Sequence, residues 1–137
     1  MGASMLIDRS TPGGGREEAL PELAPTHSAP VDLDALNEVT GGDVEFAADL
    51  VESYISSSRE LLTKIQDCFA RGDRYQLARA VHQLAGASAN VYATRLRELC
   101  SDVERMAETV TAAQLEQHMA RVAAELARVT AVLEKMR

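Results

Sequence analysis

The stretch Arg79-Ala80-Val81-His82-Gln83-Leu84-Ala85-Gly86-Ala87-Ser88 decides how the chain folds and where its chemistry lies. Leu77, Ala80, Val81, Leu84, Ala87 and Val91 recur at helical spacing and give this segment one apolar face. Gly86 is out of place in it. A glycine inside a helix costs roughly 0.5–1 kcal/mol relative to alanine, so its retention needs a packing or functional reason. The other glycines beyond Pro30 are Gly41, Gly42 and Gly72, all where helical patterns start or stop. Gly86 lies one turn after His82 on the same face. His82 itself falls off the apolar stripe, toward solvent, and its neighbours at three and four residues are Ala78, Arg79, Ala85 and Gly86. A solvated face of an acidic protein would normally carry long polar side chains there. A bare patch around an exposed imidazole is a docking surface with a reactive atom at its centre.

Working outward, the remaining apolar residues repeat the same period. Upstream, Phe46, Ala47, Leu50, Val51, Tyr54, Ile55, Ser58, Leu61, Leu62, Ile65, Cys68 and Phe69 trace about seven helical turns. Asp43 is the expected N-cap of that helix; Arg71-Gly72-Asp73 ends it and caps the next. A short amphipathic helix over Asp32–Val39 precedes it, with acids in its first turn. Downstream, Leu96, Leu99, Cys100, Val103 and Met106 mark a fourth segment. Leu115, Met119, Val122, Leu126, Val129 and Leu133 mark a fifth, with Thr111 as N-cap and Gln114 at the capping-box position. A four–three stripe of this kind also suits a coiled coil; the short connections favour an intramolecular bundle. The expected fold is all-α: an antiparallel up-down four-helix bundle with a short extra N-terminal helix.

Composition supports this reading. The 137 residues suffice for one modest domain; 46% are hydrophobic, 4% are aromatic and Trp is absent. A core of Leu, Val, Ala and Met favours packed helices over a sandwich or barrel. The net charge of −7 and the lack of a basic stripe argue against a nucleic-acid partner. No apolar run approaches the roughly 20 residues a membrane span needs, and there is no apolar signal-peptide core. Cys68 and Cys100 lie on apolar stripes and read as reduced core residues, which suits the cytoplasm. Residues 1–30 hold all four prolines and Gly13-Gly14-Gly15 and lack a sustained period, so they read as a disordered linker or tail before a domain at 31–137. His27 within them reads as a loop residue and His118 as a boundary residue of the last helix. No helical metal pair, Walker pattern or Ser/His/Asp constellation is present, so no metal site is expected.

An exposed imidazole keeps a free lone pair on one ring nitrogen over much of the neutral range. It can attack an activated phosphoryl group without a general base, provided the partner supplies phosphate and magnesium. Arg79 could offset the charge of the product.

The segment His82-Gln83-Leu84-Ala85-Gly86-Ala87-Ser88-Ala89-Asn90-Val91-Tyr92-Ala93 resembles the signature of histidine-containing phosphotransfer (HPt) domains: His, any residue, Leu or Ile, Lys, Gly, two small residues, then a Gly-Ala. Leu96-x-x-x-Cys100-x-x-Val103-Glu104 resembles the following helix of bacterial members. Leu33-Asp34-x-Leu36, Thr40-Gly41-Gly42-Asp43 and Leu50-Val51-x-x-Tyr54 are similar to the family's opening in hybrid sensor kinases. The likeness spans about residues 31–137. It implies a phosphorelay carrier of a two-component system, with His82 as phosphoacceptor, taking the group from one receiver aspartate and passing it to another. It implies Gly86 as the opening for the receiver and Glu104 as the residue orienting the ring; Arg79, Gln83 and Ala85, beside His82 on the helix, are expected with Gly86 as phosphate or docking neighbours. The implied partners are receiver domains of a hybrid sensor kinase and of a response regulator. Magnesium would sit in the receiver, with no cofactor on this chain, which would be a monomeric carrier and not an enzyme. It would be cytoplasmic, free-standing or as the C-terminal part of a membrane-bound hybrid kinase. Two departures stand out: Ala85 replaces the usual Lys, and Tyr92 the usual Gly. They motivate a rival, a degenerate bundle that binds receivers without being phosphorylated. A second rival is a phosphotransferase bundle that acts as a dimer.

Overall fold

The computed structural model describes residues 29–136, so the linker expected at 1–30, His27 included, falls almost wholly outside the described residues. Among them there are five helices and no strand: α1 (Leu33–Thr40), α2 (Val44–Arg71), α3 (Arg74–Asn90), α4 (Thr94–Met106) and α5 (Ala112–Glu134). The expected punctuation residues set most of the boundaries. Asp43 and Asp73 each accept a backbone N–H from three residues on, at 3.0 Å, and so cap α2 and α3 as expected; Asp32, read in the sequence as the first residue of the short helix, instead caps α1 in the same way at 3.1 Å. Thr111 and Gln114 form the reciprocal capping box of α5. Gly41 and Gly72 close α1 and α2 with φ of 62° and 74°, a conformation that costs other L-residues a Cβ clash.

The end of α3 is built differently. Tyr92 takes φ 60°, unusual for a residue with a side chain. Around it, the N–H of Ala93 donates to the carbonyl of Ser88 at 2.9 Å and the N–H of Tyr92 to that of Ala89 at 3.1 Å. This is a Schellman closure with tyrosine where glycine is usual. The ring is half-buried against the core, and the Tyr92 carbonyl accepts the N–H of Asp32 at 3.0 Å. The turn therefore ties the entry of α1 to the α3–α4 corner, and Val31 beside it is buried.

Each long helix packs on the one before it, α5 returns to α2, and α1 lies on α2. Connections of two to five residues between packed neighbours leave little room except to reverse the chain. The core is one cluster drawn from every helix, including Leu36, Val51, Leu77, Leu84, Leu96, Leu115 and Leu133, each essentially inaccessible. Cys68 and Cys100 are free and buried in it.

Several positions depart from the expected stripes. Phe46 is 48% exposed, and burial along α2 begins at Ala47. Met119 is only half-buried, whereas Glu125 is buried, its carboxylate held on one side by Arg128 at 2.8 Å. Ser88 is buried and its hydroxyl meets that of Tyr54 across α2 and α3 at 2.9 Å. For Ser88 the cause is that α3 packs against both α2 and α4, so its buried arc is wider than a single stripe. Arg74 reaches from the start of α3 to the α4–α5 connection, donating to the carbonyls of Ala107 and Val110 at 2.8 Å each.

Candidate functional site

At about 100° per residue, Tyr75, Arg79, His82 and Gly86 fall within an arc of about 60° on α3, opposite its buried face. The sequence places them there because Leu77, Ala80, Val81, Leu84 and Ser88 occupy the core side of the same turns. The His82 side chain is 73% exposed. Its ring is fixed from α4: Nδ1 lies 3.1 and 3.0 Å from the two carboxylate oxygens of Glu104. A carboxylate only accepts, so Nδ1 carries the proton and donates it, and the free lone pair resides on Nε2, the outward nitrogen. The geometry thus selects one tautomer and presents one nucleophilic atom.

A groove of about 440 Å³ runs beside the ring between α3 and α4, lined by Tyr75, Ala78, Arg79, His82, Gln83, Glu104 and Glu108. The Arg79 guanidinium stands 5.9 Å from the centroid of the Tyr75 ring. Gln83 is exposed on the groove wall. Gly86 is exposed one turn beyond His82, and a Cβ added there would meet nothing within 4 Å. Among the described residues no packing calls for glycine at this position.

One of the expected neighbours is misplaced. Ala85 was expected on the docking face, but it is only 7% exposed and belongs to the core. It sits one residue after Leu84 on the side that α3 turns toward its neighbours, where the double packing of that helix covers it. Arg79, Gln83, Gly86 and Glu104 are accessible or partly so, in or beside the groove. Tyr75 and Glu108 were not anticipated as groove residues. Tyr75 lies seven residues before His82, two turns along the same face, so helical spacing reaches it; Glu108 lies past the end of α4, in the turn toward α5, where helical spacing from Glu104 does not apply.

Elsewhere the described residues hold no group of three or more His, Cys, Asp or Glu side chains able to take a metal. None of the described helices is long and apolar enough to cross a membrane. His118 is half-buried at the edge of α5. Burial pushes the Cys100 thiol up to about 12 and, with the Ser88 hydroxyl opposing, the Tyr54 phenol up to about 12.

Comparison with curated proteins and with solved structures returned no match. The family model described as the Hpt domain matches residues 49–135, well over half of the chain and the whole of α3 and α4. Proteins of this family are helical-bundle carriers in two-component phosphorelays and interact with receiver domains. A helical bundle presenting an oriented, solvent-facing imidazole, matched over that span, belongs to the Hpt domain family, and its role is phosphotransfer in two-component signalling.

Proposed function

We propose that His82 is the phosphoacceptor, and that the chain takes a phosphoryl group from the aspartate of one receiver domain and passes it to another. The observation that carries this reading is the Glu104 carboxylate on Nδ1, which leaves Nε2 as the free nucleophile on an exposed ring. In the forward step the Nε2 lone pair attacks phosphorus. The N–P bond forms, the bond from phosphorus to the aspartyl oxygen breaks, and the aspartate leaves as a carboxylate with the bonding electrons. Nδ1 keeps its proton, so the phosphorylated ring carries positive charge, which Glu104 offsets at hydrogen-bond distance. The second transfer is the reverse step onto another aspartate.

Glu104 acts by orienting the ring and stabilising its charge. Arg79 in the groove supplies the cation facing the phosphoryl oxygens. Bare Gly86 admits the receiver's surface close to the ring. Magnesium belongs to the receiver, as a counter-charge to the acyl phosphate, and this chain needs no cofactor. We place it in the cytoplasm as a monomer, which sedimentation of the purified protein tests. Ala85 favours a second reading, a module that binds receivers without accepting phosphate.

Incubation with a phosphorylated cognate receiver separates the two. The proposal requires one acid-labile, base-stable phosphate on the wild type, and none on His82→Gln at unchanged helicity. Phosphate retained by the Gln variant places the acceptor elsewhere. Receiver binding without label on the wild type favours the module.

A further inference from the structure

Tyr75 and Arg79 line the groove, while the ring of His82 is hydrogen-bonded by Glu104. Tyr75 is 57% exposed, a large aromatic left in water at the first turn of α3 and outside the core cluster. Its ring carries the Arg79 guanidinium at 5.9 Å, within cation–π range. Tyr75 precedes Arg79 by four residues and Arg79 precedes His82 by three, so the three side chains follow one another along one exposed stripe. Two carboxylates, Glu104 and Glu108, line the same groove. Even so, among the described residues Arg79 forms no ion pair. The one cation among the groove-lining residues is therefore held by an aromatic face instead of by an acid.

We propose that Tyr75 is a positioning residue, whose ring keeps the Arg79 guanidinium over the groove and ready for the phosphoryl group on His82. The inference rests on the phosphoacceptor reading and adds to it a residue and a means. A free arginine loses much rotamer freedom when it engages a phosphate. A ring that already restrains the side chain reduces that loss. An ion pair with Glu108 would restrain it too, but the phosphate would then have to displace a carboxylate. The ring quadrupole is a weaker partner than a phosphoryl dianion, so the guanidinium moves to the phosphate once it appears.

The test uses the whole chain phosphorylated chemically with phosphoramidate, so that no receiver is needed, and follows the phosphorus NMR shift of the phosphohistidine against pH. A nearby cation favours the doubly ionised phosphoryl group and lowers the midpoint of that titration. The titratable and charged groups facing it are Tyr75, Arg79 and His82 from α3, Glu104 from α4 and Glu108 just past the end of α4; all but Tyr75 and Arg79 stay constant across the variants. Arg79→Ala is expected to raise the midpoint by about 0.3–0.5 pH unit. Tyr75→Leu keeps apolar bulk but lacks a π face, and is expected to give a clear part of that rise. Tyr75→Phe keeps the face and is expected to restore the wild-type midpoint. Both tyrosine variants alter an exposed side chain and should fold normally, as circular dichroism will verify. A wild-type midpoint in Tyr75→Leu beside a raised one in Arg79→Ala overturns the role of Tyr75. An unshifted Arg79→Ala overturns the pair. A wild type without a phosphohistidine signal that disappears in His82→Gln overturns the phosphoacceptor reading itself, and the inference falls with it.

Discussion

Gly86 is the residue whose presence the isolated bundle does not explain. Open space surrounds the position where a Cβ would stand, so Gly86→Ala meets no clash and gains helix propensity. It is expected to stabilise the bundle by up to about 1 kcal/mol, measured by urea unfolding. Gly86→Gln should also fold, since its side chain has solvent to enter, yet it should slow transfer from a receiver at least tenfold while phosphorylation by phosphoramidate stays near normal. Equal rates from the receiver for Gln and Gly would remove the access argument. A second residue-scale test concerns the buried pair Tyr54 and Ser88. Ser88→Ala strands a phenol hydroxyl in the core and is expected to cost about 1–3 kcal/mol. Tyr54→Phe leaves only a serine hydroxyl, which can donate to a carbonyl of its own helix, so its cost should be smaller. Equal costs would mean that the phenol finds another partner.

At the scale of elements, α3 does most to build the site and α4 completes it. The register between them sets Glu104 against Nδ1. Two fasteners maintain that register: the Schellman turn at Tyr92 and the bonds from Arg74 to the carbonyls of Ala107 and Val110. Arg74 gives a charged donor to carbonyls just past the end of α4, in a connection whose own backbone bonding is sparse. Arg74→Ala is expected to cost about 1.5–3 kcal/mol, the range for a hydrogen bond to a charged group. Hydrogen exchange should quicken first around 107–111, before the centre of α3. A loss spread evenly over all helices would show that Arg74 acts through general packing instead.

At the scale of the whole molecule, the bundle hides two acids that it keeps protonated. The Cys100 thiol is raised from 9.0 to about 12 and the Tyr54 phenol from 10.0 to about 12, in both cases chiefly because burial disfavours the anion. As pH rises, the unfolded chain releases these protons before the folded one does. Stability from the pair is therefore complete below about pH 9 and is lost between about pH 9 and 12, each group contributing a slope of up to about 1.4 kcal/mol per pH unit. The urea midpoint should stay flat to about pH 9 and then fall. In Cys100→Ala the fall should begin about one pH unit later, where Tyr54 alone remains; an unchanged onset would show that the thiol does not drive it.

Helix existence, three of the five caps, most of the core positions of α2 and α5 and the exposed place of His82 on α3 were legible from the residues, because each depends on local spacing and on side chains acting within one turn. Asp43, Asp73 and Thr111 cap whichever fold contains their helices, and the His82–Gly86 step holds in any α-helix. What could not be read there depends on which helices meet. Ala85 looks like a surface neighbour of His82 until α3 is packed on two sides, and Ser88 looks like a small filler until Tyr54 arrives from α2. Tyr92 reads from the sequence only as a departure from the usual Gly; the left-handed turn it closes between α3 and α4 is visible only in the structure. The position of Glu104 at 3.0 Å from the imidazole, and with it the choice of nucleophilic nitrogen, comes from residues 22 positions apart on two helices. Spacing along one helix cannot supply that distance; packing of α3 on α4 does.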